Sequence, residues 1–346
     1  MPDDDIPVPR LAVSDLGAST ALLSRWAAAH YGSAASVARV APMPGHAGIS
    51  FGFDVCSGGT VERLVVRVAP PGLRRVGPAD VLRQVPVLQA AKEAGVPVPA
   101  VRWWGDDETW FGSPYFVVER LPGASVSAWE PLTGSGADAG KVFEEAVRAL
   151  AAIHRIDWRE RLVGWSAPRS LETEIRAWEP ILRKGRNDAW TAVGLELAQT
   201  LLRTRPAEPE PAVLHGDFYS NNWVSDGARL LGVVDWEIAS IGPPLLDVGW
   251  LMMMYDPSCW GPTRRAWMTW GPSPAEIADG YQAAVGRPLA DLAWYQALAC
   301  WRFAAITALN VHLHRSGKRP DATWDLIGEG FDALVERGRA LARTGP

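Results

Sequence analysis

The stretch VLHGDFYSNN occupies residues 213–222, and a second polar group, VDWE, follows at residues 234–237. Four residues separate Asp217 from Asn222, and Asp235 comes thirteen residues after Asn222. Apolar residues flank both polar groups, which is the pattern of two strands joined by a turn. A β-hairpin of this kind would bring Asn222 and Asp235 to the same end, where their side-chain oxygens would face one ligand.

These three side chains match the needs of phosphoryl transfer. The transition state is loose and highly charged, so the protein has to supply few groups. One carboxylate orients the acceptor hydroxyl and accepts its proton, a role that fits Asp217. An amide oxygen and a second carboxylate hold the magnesium ions that bridge the phosphates, which fits Asn222 and Asp235. The spacing of Asp217 and Asn222 is that of kinase catalytic loops. We therefore expect an ATP-dependent kinase.

Two other interpretations of this stretch are open. In one, His215 and Asp217 only cap a turn, but the position of Asp235 is then unexplained. In the other, His215, Asp217 and Asp235 belong to a metal-dependent hydrolase. That enzyme would need further histidine or aspartate ligands, and the six histidines of the chain are scattered.

The sequence before this stretch predicts a small β-rich unit. Apolar and β-branched runs alternate with Gly-rich turns, of which Ser57-Gly58-Gly59 is typical of a hairpin. Pro86 interrupts one helical pattern. The expected elements are a helix at 18–30, strands at 49–55, 61–68 and 114–120, and a helix at 79–94.

The sequence after about residue 124 is mainly helical. Residues 124–140 are rich in Gly, Ser and Ala and suit a loop or boundary. Apolar residues recur at helical spacing in 141–155, and the longest helical pattern covers 291–315. The exception is the β segment 213–234.

Composition limits the class of protein. The chain has 346 residues and a formal net charge of -5, so no overall basic field attracts nucleic acid or a membrane surface. Acidic residues stand where a signal peptide would be positively charged, and no apolar run is long enough to cross a membrane. The three cysteines are far apart and lack zinc-site spacing. We expect a cytoplasmic protein with free thiols.

The motif at 215–222, taken with Asp235-Trp236-Glu237, resembles that of the aminoglycoside phosphotransferase superfamily. The branch it resembles most is the kinase-like domain associated with acyl-CoA dehydrogenases, over roughly residues 35–335. This resemblance implies an α+β, two-lobed protein-kinase-like fold, with ATP or sometimes GTP as the donor and magnesium as the metal. Residues 1–121 would form a small β-rich nucleotide-binding lobe, and residues 122–346 a larger, mainly helical lobe with the catalytic loop and acceptor site. The strings that match are GVPVP at 95–99, FVVERLPG at 116–123 and DWEIASIGPPLLDVGW at 235–250.

The resemblance also implies roles for individual residues. Asp217 resembles the catalytic base, Asn222 and Asp235 resemble the metal ligands, and His215 would support the loop. Glu237 stands where choline-kinase-like enzymes also have an acid.

Asp247 resembles a structural acid that ties the catalytic loop to the following helix. A buried salt bridge or a helix N-cap is an equally open role for it.

In the smaller lobe, the resemblance implies a phosphate-covering loop, a cation for the phosphates and a hinge for the adenine. Arg67 stands where kinases have the phosphate-pairing lysine, although an exposed strand arginine is an open alternative. Gln84 stands where the glutamate partner of that lysine is usual, and it could hydrogen-bond Arg67 without charge assistance. This departure makes a catalytically weakened nucleotide-binding pseudokinase the alternative function. The expected nucleotide-binding residues are Gly45, Gly48, Ser50, Arg67, Gln84, Glu119 and Leu121.

The acceptor is expected to be a small hydroxylated molecule that is not a strong polycation. Residues 251–346 contain nine Asp or Glu and ten Lys or Arg, a balance unlike the acidic pockets that bind aminoglycosides. The 18 tryptophans of the chain suit core packing, and some of them suit an apolar acceptor pocket. Neutral, apolar and anionic acceptors are all compatible with this composition.

Overall fold

The chain divides into two compact units, as seen in a computed structural model. The first unit comprises Met1–Pro122 and Val234–Ile238, and the second comprises Gly123–Val233 and Ala239–Pro346. The structure describes residues 10–43, 49–70, 72, 77, 80–125, 127–128, 136–268 and 271–343.

The first unit contains an antiparallel sheet with the strand order β1-β2-β3-β5-β4. Its helices are α1 (Leu16–Tyr31) and α2 (Gln84–Glu93), and a short 3-10 turn precedes α2. Its strands are β1 (Ser36–Pro42), β2 (Ile49–Ser57), β3 (Thr60–Val68), β4 (Val101–Gly105) and β5 (Tyr115–Glu119).

One face of this sheet packs against α1. Trp26 of α1 is fully buried beside Phe51 and Phe53 of β2, with a ring-centroid distance of 5.8 Å to Phe53. Burying a large apolar side chain contributes about 1.5–3 kcal/mol. Side chains of β3 alternate in burial, as expected for a strand with one face on the core. Arg67 therefore lies on the opposite face from its neighbours Val66 and Val68.

The second unit is mainly helical and contains two small antiparallel sheets, of orders β10-β7 and β6-β8-β9. Its strands are β6 (Ala124–Ser125), β7 (Ala212–Leu214), β8 (Trp223–Ser225), β9 (Leu230–Val233) and β10 (Ser240–Gly242). Its helices are α3 (Gly136–His154), α4 (Trp158–Arg161), α5 (Leu171–Ala177), α6 (Glu179–Lys184), α7 (Asp188–Arg203), α8 (Leu245–Met254), α9 (Pro262–Trp267), α10 (Pro274–Val285), α11 (Leu292–Arg315), α12 (Thr323–Gly328) and α13 (Phe331–Ala342).

Helix α11 is the centre of the second unit. It contacts α5, α6, α7, α8, α12 and α13, and buried residues surround it on most sides, as expected for an interior helix. Its close approach to α8 depends on Gly249. A Cβ atom there would lie 2.4 Å from backbone atoms of Tyr295, a distance that no side chain tolerates.

Local sequence signals explain where several helices begin. The side chains of Ser170 and Asn187 accept backbone N–H groups at the starts of α5 and α7. At α10, Ser273 and Glu276 form a capping box, and Gly286 ends the helix in a left-handed conformation.

The predicted fold class is confirmed: a β-rich first unit is followed by a larger, mainly helical one, the architecture of protein-kinase-like folds. Strands β1 and β4 were not predicted, and 136–140, expected to be a loop or boundary, begins α3. Pro86 is tolerated because it lies in the first turn of α2, where its missing N–H is not needed.

Among the residues that the structure describes, no helix is both long enough and apolar enough to span a bilayer.

Candidate active site

The loop after β7 holds Asp217 and Asn222 together. The side-chain Nδ2 of Asn222 donates to the backbone oxygen of Asp217 at 2.8 Å and to its Oδ2 at 3.0 Å. With Nδ2 used in this way, the amide oxygen of Asn222 lies on the other branch of the side chain and can serve as a ligand. Asp217 is partly exposed, whereas Asn222 is buried.

His215 holds the backbone of the same loop through a hydrogen bond. It is fully buried, and its Nδ1 accepts the backbone N–H of Asp217 at 3.2 Å. Gly216 has φ of +88°, a conformation that favours glycine, so the chain can turn sharply between His215 and Asp217.

Asp247 anchors the same loop. It is the third residue of α8, and its carboxylate accepts the backbone N–H groups of His215 and Gly216, both at 2.8 Å. Burial by itself would raise the pKa of Asp247, but His154, His215 and the Gly216 N–H together hold this pKa below its ordinary value. Asp247 is therefore a charged, buried clamp on the loop and not a helix N-cap, a position that Pro244 occupies.

Sequence reasoning missed His154, at the end of α3. Its Nε2 lies 3.2 Å from Oδ2 of Asp247, and its Nδ1 lies 2.6 Å from the Tyr281 hydroxyl. A proton on Nε2 lets the ring donate to Asp247 and accept from Tyr281. Its one sequence signal is its place four residues after Leu150 on the apolar face of α3.

In the first unit, Arg67 pairs with two carboxylates. Its Nη1 lies 3.0 Å from Oδ1 of Asp235, and its Nη2 contacts Oε2 of Glu237. Ser50 is the cross-strand neighbour of Arg67 on β2. The structure thus brings together four residues that the sequence singled out, namely Ser50, Arg67, Asp235 and Glu237. The partner of Glu237 is Arg67.

Asp235 has φ of +64°, in the left-handed region. A non-glycine residue in this conformation is strained by about 1–2 kcal/mol, although aspartate tolerates it better than most. Such strain is concentrated at functional sites, and here it accompanies a carboxylate that is 37% exposed in its side chain.

Gln84 makes no hydrogen bond to Arg67 among the described residues. It begins α2 and is buried, and its Nε2 has no hydrogen-bond partner among the described residues. Two acids that follow β9 contact Arg67 instead, so the hydrogen bond that Gln84 could have made to Arg67 is replaced by ion pairs with Asp235 and Glu237. Sequence spacing could not show this because the partners are 168 and 170 positions away.

The structure describes the expected hinge residues but only part of the expected phosphate loop. Glu119 ends β5. Its backbone N–H donates to the backbone oxygen of Ala100 at 2.9 Å, so this N–H is already hydrogen-bonded within the protein. Leu121 follows the strand. Gly45 and Gly48 lie outside the described residues.

The family model of the phosphotransferase enzyme family matches residues 53–298. The chain belongs to this family. The family prediction made from the motif at 215–222 and the acids at 235–237 is confirmed.

Individual relatives agree with this membership. Acyl-CoA dehydrogenase family member 10 from Mus musculus is 26% identical over 291 residues, which is 80% of this chain and 27% of the relative. The chain thus spans about a quarter of the length of that protein.

Solved structures share the fold. A Ralstonia eutropha protein assigned provisionally as an aminoglycoside phosphotransferase has a TM-score of 0.75 and 22% identity, and the match covers 94% of this chain and 99% of that one. An aminoglycoside phosphotransferase in a ternary complex with ADP and hygromycin B has a TM-score of 0.55 and 17% identity, with 93% and 98% covered.

Two of the residues that the sequence singled out carry oxygen atoms of the kind that magnesium binds. Asn222 and Asp235 offer hard oxygen ligands, and magnesium is usually held by one or two protein carboxylates together with substrate phosphates. Within the described ranges, no group of three or more His, Cys, Asp or Glu side chains could hold a metal by itself.

Proposed function

We propose that this phosphotransferase is a kinase that moves the γ-phosphoryl group of ATP to a hydroxyl of a small molecule. The observation that carries this proposal is the pairing of Asp217 with Asn222 on a loop clamped by Asp247. Membership of a phosphotransferase family supports it, and so does the ADP in a structural neighbour. GTP is the alternative donor, and the pseudokinase alternative gains nothing from these comparisons.

The proposed reaction needs one proton acceptor. A new bond forms between the acceptor oxygen and the γ-phosphorus, while the bond from the γ-phosphorus to the β–γ bridging oxygen breaks. The hydroxyl proton passes to the carboxylate of Asp217 and then to solvent, and ADP leaves with the bonding pair. No atom is oxidised or reduced. Asn222 orients this carboxylate through its Nδ2 contact at 3.0 Å.

Residues of this chain are proposed to hold both the metal and the phosphates of the nucleotide. Magnesium, when bound, would neutralise phosphate charge, and Asn222 and Asp235 are the residues proposed to hold it. Arg67 carries a guanidinium on the non-core face of β3, suited to phosphate oxygens. Glu237 would keep that guanidinium oriented, because it contacts the same side chain.

The test is a pair of substitutions with different expected signatures. Asp217→Asn removes the proton acceptor, so kcat should fall about a hundredfold to ten-thousandfold, while stabilisation of the protein by magnesium-ATP is kept. Asp235→Ala should weaken that stabilisation as well, as measured by thermal-shift titration. ADP release would be followed across a panel of hydroxylated metabolites and antibiotics.

The matched control is Asp226→Asn. Asp226 is another aspartate on a loop of the second unit; it accepts backbone N–H groups from Ala228 and Arg229 and lies on the exposed β8–β9 hairpin. Its kinetics should match those of the unmodified chain. An Asp217→Asn protein that phosphorylates the acceptor at the normal rate would refute the assignment of the base.

A further inference from the structure

The sheet of the first unit carries Arg67 on the face opposite α1, which we call the Arg67 face. Side chains alternate between the two faces along a strand. Phe51 and Phe53 of β2 belong to the core beside α1, so Ser50 and Gly52 lie on the Arg67 face. The direct pairing of Ser50 with Arg67 across β2 and β3 agrees with this assignment.

Two side chains cover Gly52 on the Arg67 face. A Cβ atom at this position would lie 3.1 Å from Nη1 of Arg120, 3.5 Å from its Cδ and 3.1 Å from Sδ of Met43. The guanidinium and the thioether therefore lie over the glycine backbone, in the space that another side chain would take. Met43 is exposed, and 25% of the Arg120 side chain is exposed. We call Met43, Gly52 and Arg120 the Gly52 platform.

A buried acid fixes the guanidinium of Arg120. Asp54, two residues after Gly52, has a fully buried side chain whose Oδ1 lies 2.6 Å from Nη2 of Arg120. Its Oδ2 lies 2.5 Å from Nη2 of Arg39, which has φ of +51° at an irregularity in the pairing of β1 with β2. Such a bulge re-aims a side chain, here towards Asp54. Because two arginines share one carboxylate, the cluster keeps a net positive charge.

The platform lies near the cation proposed to bind phosphates. Gly52 is two residues from Ser50, the cross-strand neighbour of Arg67, and a strand rises about 3.3 Å per residue. The platform is therefore about 7 Å along the sheet from the row of Arg67. A ribose joins a base to its phosphates across a gap of this size.

We propose that the Gly52 platform is the surface on which the base of the donor nucleotide stacks, with the guanidinium of Arg120 as the main stacking group. This proposal rests on the proposed function, because the position of the phosphates at Arg67 sets where the base lies. Arg120 stands between Glu119 and Leu121, the residues expected at the hinge, and the sequence did not single it out.

The chemistry of the platform suits a flat, electron-rich ring. A planar guanidinium stacks on aromatic faces, and a thioether makes favourable contacts with aromatic rings. Stacking of this kind is tolerant of base identity, because every base has a π-face. The platform would therefore accept the base of ATP and the base of GTP.

Binding is tested without turnover, using one ligand that has a base and one that lacks it. The full chain is titrated calorimetrically with magnesium-ADP and with magnesium-tripolyphosphate. Arg120→Leu should raise Kd for ADP about fivefold to a hundredfold, as expected when a side chain that stacks on a base is removed, and Kd for tripolyphosphate should not change. An unchanged Kd for ADP, or an equal loss for both ligands, would overturn the proposal.

The matched control is Arg102→Leu. Arg102 is another ion-paired arginine of the same sheet, with its Nε 3.0 Å from Oε1 of Glu62. Glu62 also accepts the hydroxyl of Tyr31 in α1 at 2.7 Å, so this ion pair lies on the α1 side of the sheet. Both dissociation constants should match those of the unmodified chain. A selective loss of ADP binding in Arg102→Leu would show that the effect does not belong to the platform.

A second variant leaves the buried ion pair intact. Arg120→Leu removes one partner of Asp54, and a buried charge that loses a partner destabilises the fold. Met43→Ala changes an exposed side chain and keeps the pair of Arg120 with Asp54. It should raise Kd for ADP several-fold, with tripolyphosphate binding unchanged. If ADP binds to Met43→Ala with normal affinity, the base does not lie over Gly52 and the proposal fails.

Turnover separates this proposal from the kinase function. With acceptor saturating and ATP varied, Arg120→Leu should raise KM for ATP and leave kcat unchanged, as expected for a contact made equally in the ground and transition states. No ADP release with any acceptor, together with Arg120-dependent ADP binding, would refute the kinase and keep the platform. ADP release that needs Asp217, with a normal KM for ATP in Arg120→Leu, would keep the kinase and refute the platform.

Discussion

The buried carboxylate of Asp247 should strongly stabilise the loop that follows β7. It accepts two backbone N–H groups at 2.8 Å and faces Nε2 of His154 at 3.2 Å, and 1% of its side chain is exposed. Hydrogen bonds to a charged group contribute about 1.5–3 kcal/mol each. Asp247→Asn keeps one acceptor oxygen but turns an NH₂ group towards a donor, so we expect a loss of about 2–4 kcal/mol in the free energy of unfolding.

Asp247→Ala should cost more. It leaves the N–H groups of His215 and Gly216 buried without an acceptor, at about 1–3 kcal/mol each, and it removes the partner of His154. The expected total is about 3–5 kcal/mol. Urea unfolding followed by far-UV circular dichroism measures the stability, and hydrogen exchange of peptides covering 212–223 measures the loop directly.

The pH dependence has a defined sign. The pKa of Asp247 is lowered in the folded chain, so its contribution is complete above the unfolded value of about 3.9 and is lost as the pH falls through the lower folded value. The difference between the unmodified chain and Asp247→Asn should therefore be constant from pH 5 to neutral pH and should shrink below about pH 4.

The matched control is again Asp226→Asn, since Asp226 accepts two backbone N–H groups at the surface. It should unfold at the same urea concentration as the unmodified chain. If Asp247→Asn also unfolds there, and exchange at 212–223 is not faster, the clamp has no energetic role and the reasoning is refuted.

Two further predictions concern packing within the second unit. Gly249→Ala should lower the free energy of unfolding by at least about 1–3 kcal/mol, because its Cβ would lie 2.4 Å from the backbone of α11. The control Gly280→Ala has one contact, at 3.7 Å, and should be neutral or slightly stabilising in urea unfolding. Equal urea midpoints for the two variants would contradict the close approach of α8 and α11. The thiols of Cys259 and Cys300 are fully buried and their sulfur atoms lie 3.7 Å apart, and burial raises the pKa of Cys259. A disulfide reagent at pH 8 should therefore label the partly exposed Cys56 at once and the other two only at the rate of unfolding, and immediate labelling of three thiols would contradict this burial.

Much of the candidate site could be predicted because its parts are close in sequence. Asp217 and Asn222 are five positions apart, so the loop that joins them determines their contact. The hairpin of β2 and β3 was likewise predicted from its Gly-rich turn and placed Arg67 on a strand. The edge strands β1 and β4 were missed because exposed edges show little apolar alternation.

Other features depend on long-range packing. His154 gave almost no sequence signal, because its role comes from Asp247, 93 positions away. The acids that pair with Arg67 were not found from the sequence for the same reason: a helix residue, Gln84, was offered as a hydrogen-bond partner, and acids after β9 make the contact.

The sequence by itself determined the family, the two kinds of secondary structure and the Asp217–Asn222 pair, because motif spacing and apolar periodicity act over a few residues. Only the tertiary structure decided which charges meet, as in the pairing of Arg67 with Glu237 and that of Arg120 with Asp54. The physical reason is that an ion pair or a buried donor depends on which surfaces pack together, and residues far apart in sequence carry no local record of that packing.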